Sequence, residues 1–235
     1  PVVLIIMTGR PMTIVHETNL ADAVLYMFHG GTMAGPAVAE MLAGEVSPSG
    51  KLPVSMPKMV GQLPLYYNHV NTGRPASGMV LINEIPLEAP QTSTGCTSFY
   101  LDAGDGPAFP FGYGLSYSTF SYGDVKLSSA SMARDGSIEV SCTVTNTGNM
   151  AAAETVQLYT RDLVASLSRP VKELKGFEKV YLQPGESRVV TFTLPASSLA
   201  FWSTPTTKVV EPGDFNLWVA GDSASGTPVK FSVTE

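Results

Sequence analysis

The stretch Phe28-His29-Gly30-Gly31-Thr32-Met33-Ala34-Gly35-Pro36-Ala37-Val38-Ala39-Glu40-Met41-Leu42-Ala43-Gly44 has the form of a strand end, a glycine-rich turn and a short helix. The residues leading into it, Ala23 to Phe28, are a compact apolar run. Gly30, Gly31 and Gly35 permit a tight turn and a close approach of backbone to whatever lies above it. Pro36 suits the first turn of a helix, where its missing N–H would have had no partner. Val38, Met41 and Leu42 recur at helical spacing, and Gly44 supplies a C-terminal cap. Strand followed by helix places this part of the chain in the α/β class, where ligands are met at the turn beyond a strand's carboxyl end. A nucleotide is excluded there. Gly30 and Gly35 are spaced as in a phosphate loop, but Pro36-Ala37 stand where Lys-Ser/Thr would follow. Thr32 also replaces the second glycine of the dinucleotide pattern.

Towards the N-terminus, Val2 to Met7 is an apolar, β-branched run without polar alternation, the pattern of a strand buried on both faces. After the turn Gly9-Arg10-Pro11, Met12 to Val15 reads as a short second strand. A polar turn or helix start falls near Thr18-Asn19, and Ala23 to Phe28 is the third strand. Helices are too few for these strands, so the unit is expected to be part of something larger. Towards the C-terminus, the prolines of Ser47 to Arg74 exclude a long helix and predict extended chain wrapped over another surface. Ala76 to Gly106 reads as a long loop, of the kind that is functional or interfacial.

Beyond Ser118 the period changes to two. Ile138, Val140, Cys142 and Val144 alternate with polar residues up to the turn Asn146-Thr147-Gly148; Val190, Phe192, Leu194 and Phe215, Leu217, Val219 repeat the pattern. About seven such strands with regular turn signals indicate a β-sandwich of immunoglobulin or fibronectin III kind. The predicted fold class is therefore a partial α/β-sandwich domain over residues 1–117, followed by an all-β sandwich over residues 118–235.

Composition narrows the partners. The 235 residues are 44% hydrophobic and 14% charged, which is globular rather than disordered. A net charge of −6 disfavours nucleic acid and anionic membrane surfaces, both of which need a basic face. No apolar run approaches the ~18–20 residues of a membrane span, and the opening residues lack the basic leader of a signal peptide. Cys96 and Cys142 make neither a disulfide framework nor a zinc site, and Cys142 fits the inward face of its strand. His16 and His69 have no companions at ligand spacing, so neither metal nor cofactor is expected.

Taken together, several motifs resemble glycoside hydrolase family 3. Thr8-Gly9-Arg10-Pro11, Gly31-Thr32-Met33-Ala34-Gly35, Pro48-Ser49-Gly50-Lys51-Leu52-Pro53-Val54 and Val60-Gly61-Gln62-Leu63-Pro64 look like its α/β-sandwich domain. So do Tyr66-Tyr67-Asn68-His69, Asn71-Thr72-Gly73-Arg74-Pro75 and Phe109-Pro110-Phe111-Gly112-Tyr113-Gly114-Leu115-Ser116-Tyr117. Arg169-Pro170-Val171-Lys172-Glu173-Leu174-Lys175-Gly176-Phe177 and Leu182-Gln183-Pro184-Gly185-Glu186 look like the fibronectin III-like domain that often follows. The Asn-Thr-Gly-Arg-Pro run is most similar to periplasmic β-glucosidases and β-xylosidases of bacteria. The resemblance implies a retaining exo-β-glycosidase acting on oligosaccharide or aryl β-glycoside substrates, in the periplasm or secreted, with room for a homodimer. It also implies that a barrel carries the aspartate nucleophile, and that the glutamate acid/base precedes the strand opening at Val2. Both catalytic positions are therefore expected upstream of Pro1. No catalytic residue is then expected within the chain, and the chain alone is predicted inactive. Two departures stand out. Met33 occupies a position where many members have an acidic residue, and Ser98-Phe99-Tyr100 lacks the arginine that relatives often place before the tyrosine.

His29, Thr32, Met33 and Tyr100 are the candidates for lining the substrate cleft. Two of them also have an ordinary role: His29 as a packed histidine satisfied by backbone, and Tyr100, like Tyr66, Tyr67 and Tyr113, as a tyrosine buried against a neighbouring domain. Glu17, Asp22, Glu40, Glu84 and Glu88 make no convincing catalytic pair. The alternative function is a non-catalytic carbohydrate-binding or adhesive module.

Overall fold

The computed structural model describes residues 1–76, 79–90 and 97–235, so Cys96 and part of the Ala76 to Gly106 loop lie outside the described residues. In the first region β1 (Val3–Ile6) pairs in parallel with β2 (Ala23–Tyr26), Val3 opposite Ala23 and Ile6 opposite Tyr26. Parallel neighbours need a crossover connection, and α1 (Val15–Leu20) lies within it. This corrects the strand expected at Met12 to Val15. Met12 to Ile14 is irregular, and Val15 opens a helix that runs through Thr18-Asn19. Ile14 and Val15 have the side chains of a strand, but the crossover overrides that preference; Ile14 is buried, and its carbonyl accepts the Thr18 N–H at 2.9 Å. The helix read from Pro36 and Gly44 is present as α2 (Ala34–Leu42), with Pro36 in its first turn and Gly44 at φ 76° beyond its end.

Within this chain β1 is not buried on both faces. Pro1 is exposed, Val2 is 62% exposed, Val3 44%, Ile5 37% and Met7 65%. Two strands and two short helices have too little surface to cover them. A contiguous apolar patch of this kind marks a contact surface.

From Ser47 the chain is extended, as its prolines dictate, and runs against residues 108–113. The Leu52 N–H donates to the Tyr113 carbonyl at 2.8 Å, Gly112 N–H to Leu52 at 2.7 Å, and Met56 N–H to Phe109 at 2.8 Å. The Phe109 to Gly114 segment, so held, leads into the second region.

The sandwich comprises β3 (Phe120–Tyr122), β4 (Lys126–Leu127), β5 (Ser131–Ala133), β6 (Ser137–Asn146), β7 (Ala152–Asp162), β8 (Glu173–Leu182) and β9 (Ser187–Pro195), with β12 (Gly213–Ala220) and β13 (Val229–Thr234). Between β9 and β12, β10 (Phe201–Thr204) and β11 (Thr207–Val209) form a hairpin. One sheet has the order β5-β13-β12-β7-β8. In the other, β6 pairs with β9 along one edge and with β3 and β4 along the opposite edge. The chain is thus an α/β region followed by a β-sandwich. The core is built as the alternation predicts: Ile138, Val140, Cys142 and Val144 are buried together with Val156, Leu158, Val180, Leu182, Phe215 and Leu217. Burial pushes the Cys142 thiol up, and its Sγ–H donates to the Gly123 carbonyl at 3.2 Å.

Asn146, at the end of β6, is fully buried and fully used. Its Nδ2 donates to Met150 and Leu182 carbonyls at 2.8 and 3.0 Å, and its Oδ1 accepts from Ser118 Oγ at 2.5 Å and Gly148 N–H at 3.0 Å. Asn146→Ala orphans these partners and is expected to cost about 3 kcal/mol in urea unfolding. A loss below about 0.5 kcal/mol would mean that solvent replaces the amide freely.

Candidate functional site

The carboxyl ends of β1 and β2 lie side by side because the strands are parallel and in register. The turns that leave them therefore meet. Tyr26 O–H donates to the Arg10 carbonyl at 2.5 Å, tying the second turn to the first, and burial holds its phenol above the ordinary value. Phe28 takes φ 52°, a left-handed conformation costing roughly 1–2 kcal/mol for an L residue, with its ring edge-on to Tyr26 at 4.8 Å. The reversal at Phe28 swings His29 back over the first turn, so that a Cβ placed on Gly9 would stand 2.7 Å from His29 Nε2. Gly31, at φ 70°, completes the turn, and its carbonyl accepts the Ala34 N–H at 3.2 Å as α2 begins.

His29, Thr32 and Met33 consequently share one exposed rim, with Met33 67% exposed at the cap of α2. The His29 ring lies close to Gly9, and the residue is exposed. Among the described residues the Thr32 hydroxyl and the His29 ring make no hydrogen bond within the chain, leaving both free to meet hydroxyl groups. Tyr100 belongs to a different cluster. Its hydroxyl donates to the Gln62 carbonyl at 3.2 Å; the buried Gln62 side chain accepts from Lys58 N–H at 2.7 Å and donates to Gly106 at 3.1 Å. The carboxyls of the first region are spent locally or lie open: Asp22 accepts the Val2 N–H at 2.6 Å, Glu84 the Leu81 N–H at 3.2 Å, and Glu17 and Glu40 are exposed on their helices. The rim offers polar contacts from His29 and Thr32 and contains no carboxyl side chain of its own. Pro1, upstream of which the resemblance puts both catalytic carboxyls, leads directly into the uncovered Val2 that Asp22 holds.

Sequence reasoning missed the junction between the two regions, whose partners lie far apart in the chain. Lys51 Nζ meets Glu154 Oε1 at 3.2 Å and the Gly114 carbonyl at 3.0 Å, while Tyr122 O–H donates to the same Glu154 oxygen at 2.7 Å. Tyr67 stacks on Phe111 at 4.2 Å, meets Tyr159 edge-on at 6.2 Å, and accepts the Leu174 N–H at 3.2 Å. Tyr67 thus takes the interdomain role, whereas Tyr66 stays exposed.

Lys172, 8% exposed, lies over the Tyr159 and Trp218 rings at 5.1 and 4.7 Å. Burial brings its pKa from 10.5 down to about 8, with the Asp222 charge opposing part of the fall. Below that value both folded and unfolded chains hold the proton. As pH rises above it, the folded chain sheds the proton first, so folding gains stability. Wild type is expected to gain unfolding free energy relative to Lys172→Met between about pH 7.5 and about pH 9.5, below the ordinary tyrosine range. A difference that stays flat across paired urea titrations would contradict this.

A sequence model of the glycosyl hydrolase family 3 C-terminal domain matches residues 1–117, and a fibronectin type III-like domain model matches residues 154–223. The chain is 47% identical over 224 residues to a periplasmic beta-glucosidase of Salmonella typhimurium, covering 95% of this chain and 28% of that protein. It is 38% identical over 233 residues to a putative beta-xylosidase of Formosa agariphila, covering 99% and 28%. Its fold is similar to the crystal structure of a beta-glucosidase from Listeria innocua in complex with gluconolactone, with TM-score 0.89, 38% identity, and coverage of 100% of this chain and 31% of that one. The chain therefore spans less than a third of the length of these relatives.

Proposed function

Because the chain belongs to glycoside hydrolase family 3, we propose that it is the C-terminal part of a retaining exo-β-glycosidase, a β-glucosidase or β-xylosidase that removes terminal β-linked sugars. The observation that carries this reading is the match of nearly the whole chain to under a third of such enzymes. Retaining hydrolysis needs a nucleophile and an acid/base carboxyl about 5–5.5 Å apart. In this reading both are supplied by polypeptide upstream of Pro1, the nucleophile by a barrel. That polypeptide also covers the exposed side of β1.

The chain's own contribution is a wall of the cleft. His29 and Thr32 hydrogen-bond sugar hydroxyls from the rim, and Met33 presents an apolar contact where a charged side chain would add a further hydrogen bond. Tyr100, held through Gln62, lines the same cleft from the loop cluster. The periplasmic relative supports a periplasmic or secreted enzyme.

The test is steady-state hydrolysis of aryl β-glucoside and aryl β-xyloside by the full-length polypeptide carrying this chain. His29→Ala and Thr32→Ala are each expected to lower kcat/KM about tenfold, the worth of one sugar hydrogen bond. Unchanged kcat/KM in both variants would remove the rim from the site.

A further inference from the structure

At the junction of the two regions lies a cleft of about 230 Å3, bounded by the extended chain on one side and by Val171-Lys172, ahead of β8, and Ser223-Ala224, beyond β12, on the other. We propose that this cleft is a second, non-catalytic binding pocket for a single neutral sugar ring.

Four features of its lining argue for that ligand. Tyr66 stands 63% exposed at the wall, an aromatic face with nothing stacked on it among the described residues. Tyr67 beside it is locked by Phe111 and Leu174, so the wall is rigid. Lys172, just ahead of β8, reaches the cleft over the Tyr159 and Trp218 rings, nine-tenths buried, with three N–H donors. Among the described residues only the Ser225 carbonyl, at 3.0 Å, accepts from it. The Asp222 charge acts on it, and one Asp222 carboxylate oxygen accepts the Ala224 and Ser225 N–H groups at 2.8 and 2.9 Å. A ligand oxygen would give this desolvated ammonium a further acceptor. Asp105, His69, Ser55 and Ser223 add further polar groups to the lining.

The mixture selects the ligand. A buried ammonium alone would favour an anion, but the Asp105 carboxylate in the same cleft opposes one. Donor, acceptor and an aromatic face together suit a molecule with hydroxyls around its edge and C–H groups on its face, which is a pyranose. The volume is below the ~300–1,000 Å3 of clefts that take drug-sized ligands, so one ring is accommodated and an oligosaccharide is not. The pocket is built from residues 55–110 and 171–224, whereas the rim around His29 is not part of its lining. The inference therefore holds whether or not the parent polypeptide hydrolyses glycosides.

Hydrogen exchange read by mass spectrometry on the full-length polypeptide tests it, because peptides from the junction and from the rim report separately. With saturating D-glucose as probe, exchange is expected to slow about threefold or more in peptides spanning residues 65–70 and 223–225. Tyr66→Ala and Asp105→Asn, both at exposed positions, are expected to abolish that protection and leave aryl β-glycoside hydrolysis unchanged. Protection absent at the junction, protection given by acetate or inorganic phosphate but not by glucose, or protection retained in both variants would each overturn the proposal. So would a parallel loss of hydrolysis, since the pocket would then belong to the catalytic site.

Discussion

Gly112→Ala is expected to destabilise the chain by about 3–5 kcal/mol. Gly112 sits at φ 81°, where an L side chain costs roughly 1–2 kcal/mol by itself. The added Cβ would also overlap Gln157 Oε1 and come within 2.9 Å of its Cδ. Gln157 cannot step aside without loss. It is buried, its Nε2 donates to the Gly112 and Gly221 carbonyls at 3.1 and 2.5 Å, and its Oε1 accepts the Tyr159 O–H at 2.5 Å. Displacing it breaks three hydrogen bonds in a site closed to water, at about 1 kcal/mol or more each. Equilibrium urea unfolding measures the effect. A loss below about 1 kcal/mol would show that the junction yields.

Glu154→Leu is expected to cost about 3–4 kcal/mol, because it leaves Lys51 and the Tyr122 hydroxyl without their shared acceptor. The Tyr122 phenol is pushed far above its ordinary pKa, first by burial and then by the Glu154 charge beside it, so it remains a neutral donor throughout the working range. The pair is a stringent test because the damage comes from the orphaned cation. Adding Lys51→Met to Glu154→Leu is expected to recover about 1–3 kcal/mol, and a double-mutant cycle reads the coupling directly. Strict additivity would mean that Lys51 and Glu154 do not interact across the junction.

These two sites also mark the limit of what the sequence discloses. Ile138, Val140, Cys142 and Val144 reveal the inward face of β6 because their period of two needs no knowledge of the rest of the molecule. Pro36 and Gly44 disclose α2 for a similar reason, since each acts on its own backbone. Ile14 and Val15 mislead: side chains that favour a strand lie in a crossover that the parallel pairing of Val3–Ile6 with Ala23–Tyr26 imposes. Lys51 with Glu154, Tyr67 with Leu174 and Gly112 with Gln157 leave no local trace. Their partners stand 45 to 107 residues apart, and neither period nor spacing links them. The rim is half legible. The glycine turn points to His29, Thr32 and Met33, but not to the Phe28 reversal that sets His29 against Gly9, and nothing in the sequence ties Tyr100 to Gln62.

The exposed side of β1 is what the proposed function explains: in that reading other polypeptide of the same protein covers the first region and carries the hydrolytic carboxyls. The most direct test is release of nitrophenol from an aryl β-glucoside, measured side by side for the 235-residue chain and for the full-length polypeptide. Turnover by the longer polypeptide and none by the 235-residue chain is the predicted result. Comparable turnover by both would place a working carboxyl pair inside this chain and contradict the account.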